Sequence, residues 1–307
     1  MLKTNMREDF FHKKFLTELE HKDTNIEEKN FKKISIVMPS YNKAEFIERS
    51  ILSVLNQNYP NIELIVIDGG STDGTVEIIK KYEKYITFWI SEKDQGQSDA
   101  LNKGFKYCTG EVYGFLNSDD LYTPNAFNYA LSALKDNPNK KIVFGDYLTI
   151  DKKDLLIDYN YSFDFNLNHF KYEGFHLNAT SMFWRSEVHE RFSGFNINLY
   201  YTMDYQLILE LAINEGQNSF IRVPRVLAGF RMYEGQKTTI NISSGAIKEH
   251  KYIADIYKYT DKYKFIGKLK RFYFRIRRAW WYIKRGGFYY LIRHLKKTYV
   301  KSFKSNF

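Results

Sequence analysis

The chain has 307 residues, 44% of them hydrophobic and 18% aromatic, which is enough to build a sizeable core and excludes wholesale disorder. A single cysteine, Cys108, excludes a disulfide framework and a cysteine-based zinc site, and it fits a reducing compartment. The net charge of +10 is unevenly shared: residues 262–307 carry 15 Lys and Arg and no acid, so the other 31 basic residues face 36 acidic ones and the body is mildly acidic.

The opening MLKTNMREDFFHKKF has no continuous apolar core and no small-residue cleavage site, so no signal peptide is expected. No stretch approaches about 18 uninterrupted apolar residues, so no membrane-spanning helix is expected either. Residues 1–31 are charged, with one weak helical pattern (Phe10, Phe11, Phe15, Leu16, Leu19), and read as a mobile or peripheral extension. From Lys33 the pattern sharpens. KISIVMPS (33–40) predicts a strand, and Ile47, Ile51, Val54 and Leu55 share one face of a helix over 45–57. ELIVID (63–68) is a second strand, with Ser71 or Thr72 placed to cap the next helix. FWIS (88–91), VYGFLN (112–117) and KIVFGDYL (141–148) predict three more strands, with helices over about 98–107 and 124–134 between them. Strands alternating with helices imply βαβ units and a mostly parallel central sheet flanked by helices.

The acids fall where those strands end. Asp68 closes the second, Asp94 follows the third, and Asp119 and Asp120 close the fourth. Open parallel sheets bind ligands beyond the carboxyl ends of their strands, so successive strands deliver carboxylates to one rim. No G-x-G-x-x-G opens a helix and no G-x-x-x-x-G-K-[ST] is present, so the standard phosphate cradles are absent. Paired carboxylates repel unless a cation compensates them. A hard divalent ion, Mn²⁺ or Mg²⁺, bridging protein oxygens to a substrate phosphate, answers that problem. An ordinary turn before a helix would also use Ser and Asp.

Four motifs occur in order: PSYN (39–42), IDGGSTDGT (67–75), DQGQSDALNKG (94–104) and FLNSDDLY (115–122). Together they closely resemble family-2 glycosyltransferases, over about residues 33–235. The resemblance implies a GT-A fold, with a nucleotide-sugar-binding half (32–150) joined to an acceptor-binding half (151–240), and an inverting reaction. It implies that Pro39, Tyr41 and Asp68 hold the donor's base and ribose, and that Asp94 and Lys103 contact the nucleotide sugar. Asn117-Ser118-Asp119 occupies the family's Asp-x-Asp site, so Ser118 lies at the donor. Asp119 is the best metal ligand, with Asp120 nearby, and Asn117 replaces the first acid. The donor expected is a nucleotide-diphosphate sugar, a UDP-sugar first.

A transfer of this kind also needs a base for the acceptor hydroxyl. In TMDYQLILELAINEG (202–216), Asp204 sits in the first turn of a predicted helix, on the face of Leu207, Ile208 and Leu211. The positive helix end favours its ionised form. The family usually shows Glu-Asp here, so Asp204 resembles the inverting base, with Met203 in place of the first acid. In AGFRMYEGQKT (228–238), Arg231 and Lys237 are placed to neutralise a diphosphate leaving group. Many relatives resemble Arg-x-His-x-x-Gly there, and this chain has Tyr233 instead. NHFKYEGFHLNATSMFWRSE (168–187) mixes aromatic and amide groups, so His176, Asn178 and Trp184 are acceptor candidates.

The segment 264–303 interleaves basic residues with aromatics, and Gly286-Gly287 is expected to separate two helical pieces. Residues 241–307 therefore read as a helical, basic tail that attaches to an anionic membrane surface, with a helical bundle that packs its aromatics internally or against another subunit as the alternative. A nucleic-acid role is disfavoured, because no recognised motif is present and the body is acidic. The overall expectation is a metal-dependent glycosyltransferase at the inner face of the cell membrane, adding a sugar to a lipid-linked surface glycan. A nucleotidyltransferase, or a non-catalytic membrane or nucleic-acid adaptor, is the alternative.

Overall fold

The structure, a computed structural model, describes residues 13–19, 32–174, 177–237 and 242–304. The first half is the alternation that the apolar pattern demands: β1 (Ile34–Ser40), α1 (Ile47–Leu55), β2 (Ile62–Asp68), α2 (Thr75–Lys81), β3 (Phe88–Ser91), α3 (Gln97–Phe105) and β4 (Val112–Phe115). All seven residues of β1 are buried, as expected for a strand covered by helices on both faces.

A short β5 (Leu121–Tyr122) and α4 (Ala126–Asp136) follow, then β6 (Ile142–Ile150), β7 (Leu156–Asn160), α5 (Leu167–Glu173), β8 (Met182–Arg185), α6 (Ser186–His189), α7 (Met203–Glu215) and β9 (Phe220–Arg231). The chain ends in α8 (Ile242–Ile256) and α9 (Phe265–Lys304). The nine described strands form one sheet in the order β3-β2-β1-β4-β8-β6-β9-β5, with β7 paired to β6. The β3-β2-β1-β4 part is parallel. Beyond it, β8 runs antiparallel to both β4 and β6, while β9 is parallel to β6.

The order places the crossover reversal between β1 and β4. Successive strands step outward from β1 to β3, and β4 then returns to the other side of β1. The carboxyl ends of β1 and β4 flank the resulting crevice, where doubly wound sheets hold their ligands. Two large apolar clusters cover the sheet: one includes Ile36, Met38, Ile51, Val66 and Phe183, the other Phe115, Phe144, Phe170, Trp184 and Leu207.

Three local expectations are corrected. Neither Ser71 nor Thr72 caps α2, whose N-cap is Gly74; Ser71 bonds Asp68 instead. Phe15 and Leu16 are not peripheral: they are buried against Leu121, Leu148 and Ile150, and Asn56 Nδ2 donates to the carbonyl of Phe15 (2.8 Å). Phe10 and Phe11 lie outside the described residues. Gly286 and Gly287 do not divide the tail, because α9 runs through them as one helix. Two glycines inside a long helix cost about 1 kcal/mol each against alanine, which the rest of so long a helix can absorb.

Candidate active site

Asp68, at the end of β2, is fully buried. Its carboxylate is held by its own loop: Oδ2 accepts from Ser71 N (2.8 Å), Gly70 N (3.1 Å) and Ser91 Oγ (2.7 Å), and Oδ1 accepts from Ser71 Oγ. Gly70 takes a left-handed turn (φ +81), which lets the backbone wrap the carboxylate. Asp94 sits beside this turn. A side chain at residue 69 would begin 2.8 Å from Asp94 Oδ2, so the glycine there makes room for the acid. Burial pushes the Asp94 carboxyl up, Gly96 N–H opposing and the Asp99 and Asp68 charges adding. Lys103 pairs with Glu92 (2.9 Å) and Asp99 (3.4 Å). Pro39 lies opposite Ile67 in the β1–β2 register, and Tyr41 beyond it is 60% exposed, with its ring turned to solvent at the rim.

The end of β4 forms the centre. Asp120 is fully buried: Oδ1 accepts from Arg231 N (2.9 Å), and Oδ2 from Asn117 Nδ2 (3.0 Å) and Thr180 Oγ1 (3.4 Å). Burial, with the Asp119 charge second, pushes the Asp120 carboxyl well above the usual range. Ser118 is buried between the two motif ends. Asp119 Oδ2 accepts from Tyr233 OH (2.7 Å) and pairs with Lys43 Nζ (3.0 Å). Lys43 also donates to Tyr233 OH. Tyr233 is therefore tied to the motif acid.

Arg231 was expected at a leaving group, and the structure places it elsewhere. It is fully buried, with Nε on the Asp119 carbonyl (2.7 Å) and NH1 on the Asp151 carbonyl (2.9 Å). NH1 also pairs with Asp154, and the guanidinium stacks over Phe46 at 4.9 Å. Its bonds fix the turn that carries Asp119.

A chain of amides joins this centre to α7. Asn117 Oδ1 accepts from Gln97 Nε2 (2.6 Å), and Gln97 Oε1 accepts from Lys237 Nζ (3.3 Å). Lys237 lies over the ring of Tyr200 (4.0 Å). Burial pulls its ammonium pKa down, while Asp204 and Glu249 pull it back up. Glu249, from α8, accepts from the backbone N–H of Tyr200, Tyr201 and Thr202 (2.9–3.0 Å) and so fixes the turn before α7. Ahead of its exposed last turn, α7 is packed all round: between Met203 and Ala212 every residue is buried except Asp204, which is partly so. Asp204 is thus where this helix opens to the crevice. Burial pushes its carboxyl up to about 6, against the Tyr205 N–H and the Lys237 charge. Desolvation outweighs the helix end, yet the group is still ionised at neutral pH, as a proton acceptor must be.

The acceptor candidates separate. His176 lies outside the described residues. Asn178 Oδ1 caps the short helical turn 179–181 by accepting from Thr180 N (2.8 Å), beside the Thr180 hydroxyl that meets Asp120. Trp184 is corrected: it is fully buried, because β8 is an internal strand paired on both edges, and its ring packs on Phe105. It offers no face to a sugar.

Lys43, Gln97 and Glu249 were not singled out in the sequence. Lys43 and Gln97 lie inside or beside motifs, but Glu249 had no local signal. A divalent cation fits this donor set in one manner only. Among the described residues no three His, Cys, Asp or Glu cluster to cage a metal, and Asp120 has both oxygens engaged. Asp119 Oδ1 has no partner among the described residues, and one carboxylate completed by substrate phosphates is how Mg²⁺ is commonly held.

A family model described as "Glycosyl transferase family 2" matches residues 35–192. An uncharacterized glycosyltransferase of Rickettsia typhi is 40% identical over 121 residues, 39% of this chain and 38% of that protein. The Escherichia coli UDP-Glc:alpha-D-GlcNAc-diphosphoundecaprenol beta-1,3-glucosyltransferase WfgD is 35% identical over 124 residues, 40% of this chain and 49% of its own. The chain thus spans less than half the length of either. Among solved structures, Staphylococcus aureus TarS 1–349 in complex with UDP-GlcNAc shares the fold at a TM-score of 0.59 and 20% identity, over 73% of this chain and 66% of that one. The mannosyltransferase PcManGT of Pyrobaculum calidifontis, in complex with GDP-Man and Mn²⁺, does so at 0.53 and 14%, over 88% and 80%.

Proposed function

The chain belongs to glycosyl transferase family 2 and is a glycosyltransferase, and from that premise we propose that it moves a sugar from a nucleotide-diphosphate donor to a hydroxyl of a lipid-linked glycan, with inversion. The observation that carries this reading is the hydrogen-bonded path from Asp120 through Asn117 and Gln97 to Lys237, whose charge acts on Asp204. It joins the strand-end carboxylates to a base poised near neutrality.

In the reaction, Asp204 takes the proton of the acceptor hydroxyl as its oxygen bonds the anomeric carbon. The bond from that carbon to the diphosphate oxygen breaks, and its electron pair leaves with the nucleoside diphosphate. Lys237 faces that departing charge from the far end of the amide path. Tyr41 and Pro39 border the base, with Asp68 and Asp94 at the ribose and sugar. We take 32–150 as the donor half and 151–240 as the acceptor half. Asp119 is the residue that would hold Mn²⁺ or Mg²⁺, and the ion would supply positive charge to the diphosphate. Support for a UDP-sugar donor and a lipid-linked acceptor comes from WfgD, whose name gives a UDP-glucose donor and a diphosphoundecaprenol acceptor, and from the UDP-GlcNAc complex of TarS. The work is assigned to the inner face of the cell membrane, in glycan assembly for the cell envelope.

Product analysis tests the reading. Purified enzyme, given nucleotide sugars and a polyprenyl-diphosphate-linked sugar, releases a nucleoside diphosphate and extends the acceptor by one sugar, and Asp204→Asn loses about 10²–10⁴-fold of that rate. Release of pyrophosphate from a nucleoside triphosphate, or full activity in Asp204→Asn, overturns it.

A further inference from the structure

The outer face of α9 is apolar and uncovered. Phe265, Ile266, Leu269, Phe272, Ile276 and Trp280, together with Tyr273, are each 54–72% exposed. At 3.6 residues per turn these seven positions fall within an arc of about 120°, a continuous stripe about 23 Å long. The opposite face is already used. Phe274 is buried against His169 (5.2 Å) of α5, Trp281 lies near Phe163 (5.9 Å), and Arg275 and Arg278 pair with Glu173 (2.7 and 3.2 Å). The helix is therefore fixed to the body by one face and presents a second apolar face outward. A soluble surface rarely leaves so large a patch without a partner.

The charges bordering the stripe choose that partner. Lys268 lies along one border, Arg277 and Lys284 along the other, and none of them has a carboxylate partner among the described residues. No acid occurs from residue 262 onward. A second copy of this helix laid on the stripe would set cation against cation. An anionic bilayer accepts both the apolar side chains and the basic borders, with Trp and Tyr suited to the headgroup level. The acidic body is repelled by the same surface, which turns α9 toward it.

We propose that α9 docks flat on an anionic lipid surface through this stripe, bound by the face opposite its seat on α5. The seat is also short of the site by one layer: Phe170 of α5 stacks on Tyr205 (4.5 Å), the residue after Asp204. Docking thus places the base two packed helices from the membrane. The inference is independent of donor chemistry.

The full chain is sedimented with phosphatidylcholine vesicles, with and without phosphatidylglycerol. It is expected to bind the anionic vesicles, to be released by salt, and to have tryptophan emission quenched by brominated lipid. Phe272→Glu with Ile276→Glu, both at exposed positions, is expected to weaken partitioning about tenfold or more while melting temperature and turnover of a water-soluble acceptor stay at wild-type values. Binding that ignores phosphatidylglycerol, or partitioning unchanged in the double variant, overturns the proposal. So does a concentration-dependent dimer that the double variant disperses without any vesicle binding, since a second copy then covers the stripe. Retention of oligonucleotide in place of vesicles overturns it equally.

Discussion

Asp204 is raised to about 6 chiefly by burial, and two pH effects of opposite sense follow. As the proposed base it works only when ionised, so kcat/KM should fall as pH drops through about 6, about tenfold per unit below it, and level off above. Its stability effect has the other sign. The unfolded carboxyl ionises near pH 4, so between that pH and 6 the native state holds the extra proton, and stability falls as pH rises. Asp204→Asn should flatten that decline in urea titrations as well as remove the acid limb of the rate. A wild-type rate profile without a limb between pH 5 and 7 would move the base elsewhere. Arg231 teaches a different lesson at this scale. The sequence offers a cation near the expected diphosphate, but a guanidinium with Asp119, Asp151 and Asp154 partners is consumed in fixing the turn. Spacing alone does not distinguish a contact from a support.

At the scale of elements, the parallel half was legible because its strands are short apolar runs closed by a small polar or acidic residue: Ser40, Asp68, Ser91 and, just past β4, Asn117. β1, β2 and β3 begin or end within a residue of the positions read from the pattern. The second half was less so. MFWR, residues 182–185, mixes polar and aromatic neighbours as a sugar-binding surface does, yet it is a central strand with pairing on both sides. Trp184→Ala should therefore act on stability: a loss of about 3–5 kcal/mol in denaturant unfolding, with the KM for acceptor unchanged in the folded fraction. A raised acceptor KM at unchanged stability would restore Trp184 to the sugar site. Glu249 was illegible for a plainer reason: it acts on a turn 47–49 residues earlier in the chain, and only the fold brings the two together. The single helix through Gly286-Gly287 shows glycine punctuation overruled by the length of helix on either side.

For the whole molecule, charge is divided by task. The acidic body carries the carboxylate rim at the reversal between β1 and β4, and the basic helix α9 stands on the far side of α5. The motif order along the chain told where that rim lies, because each motif follows a strand of the parallel part of the sheet. What joins the rim to Asp204 is the Asn117–Gln97–Lys237 path, which spans the chain from residue 97 to 237 and has no signature in any one segment. The most direct test of the central claim is a thermal-shift panel of UDP, GDP, dTDP and CMP, each with and without Mn²⁺, on wild type and Asp119→Ala. One nucleoside diphosphate, UDP first, is expected to raise the melting temperature in a Mn²⁺-dependent manner, and Asp119→Ala is expected to lose the metal-dependent part. Stabilisation by no nucleotide, or a metal-dependent shift that survives Asp119→Ala, would contradict it.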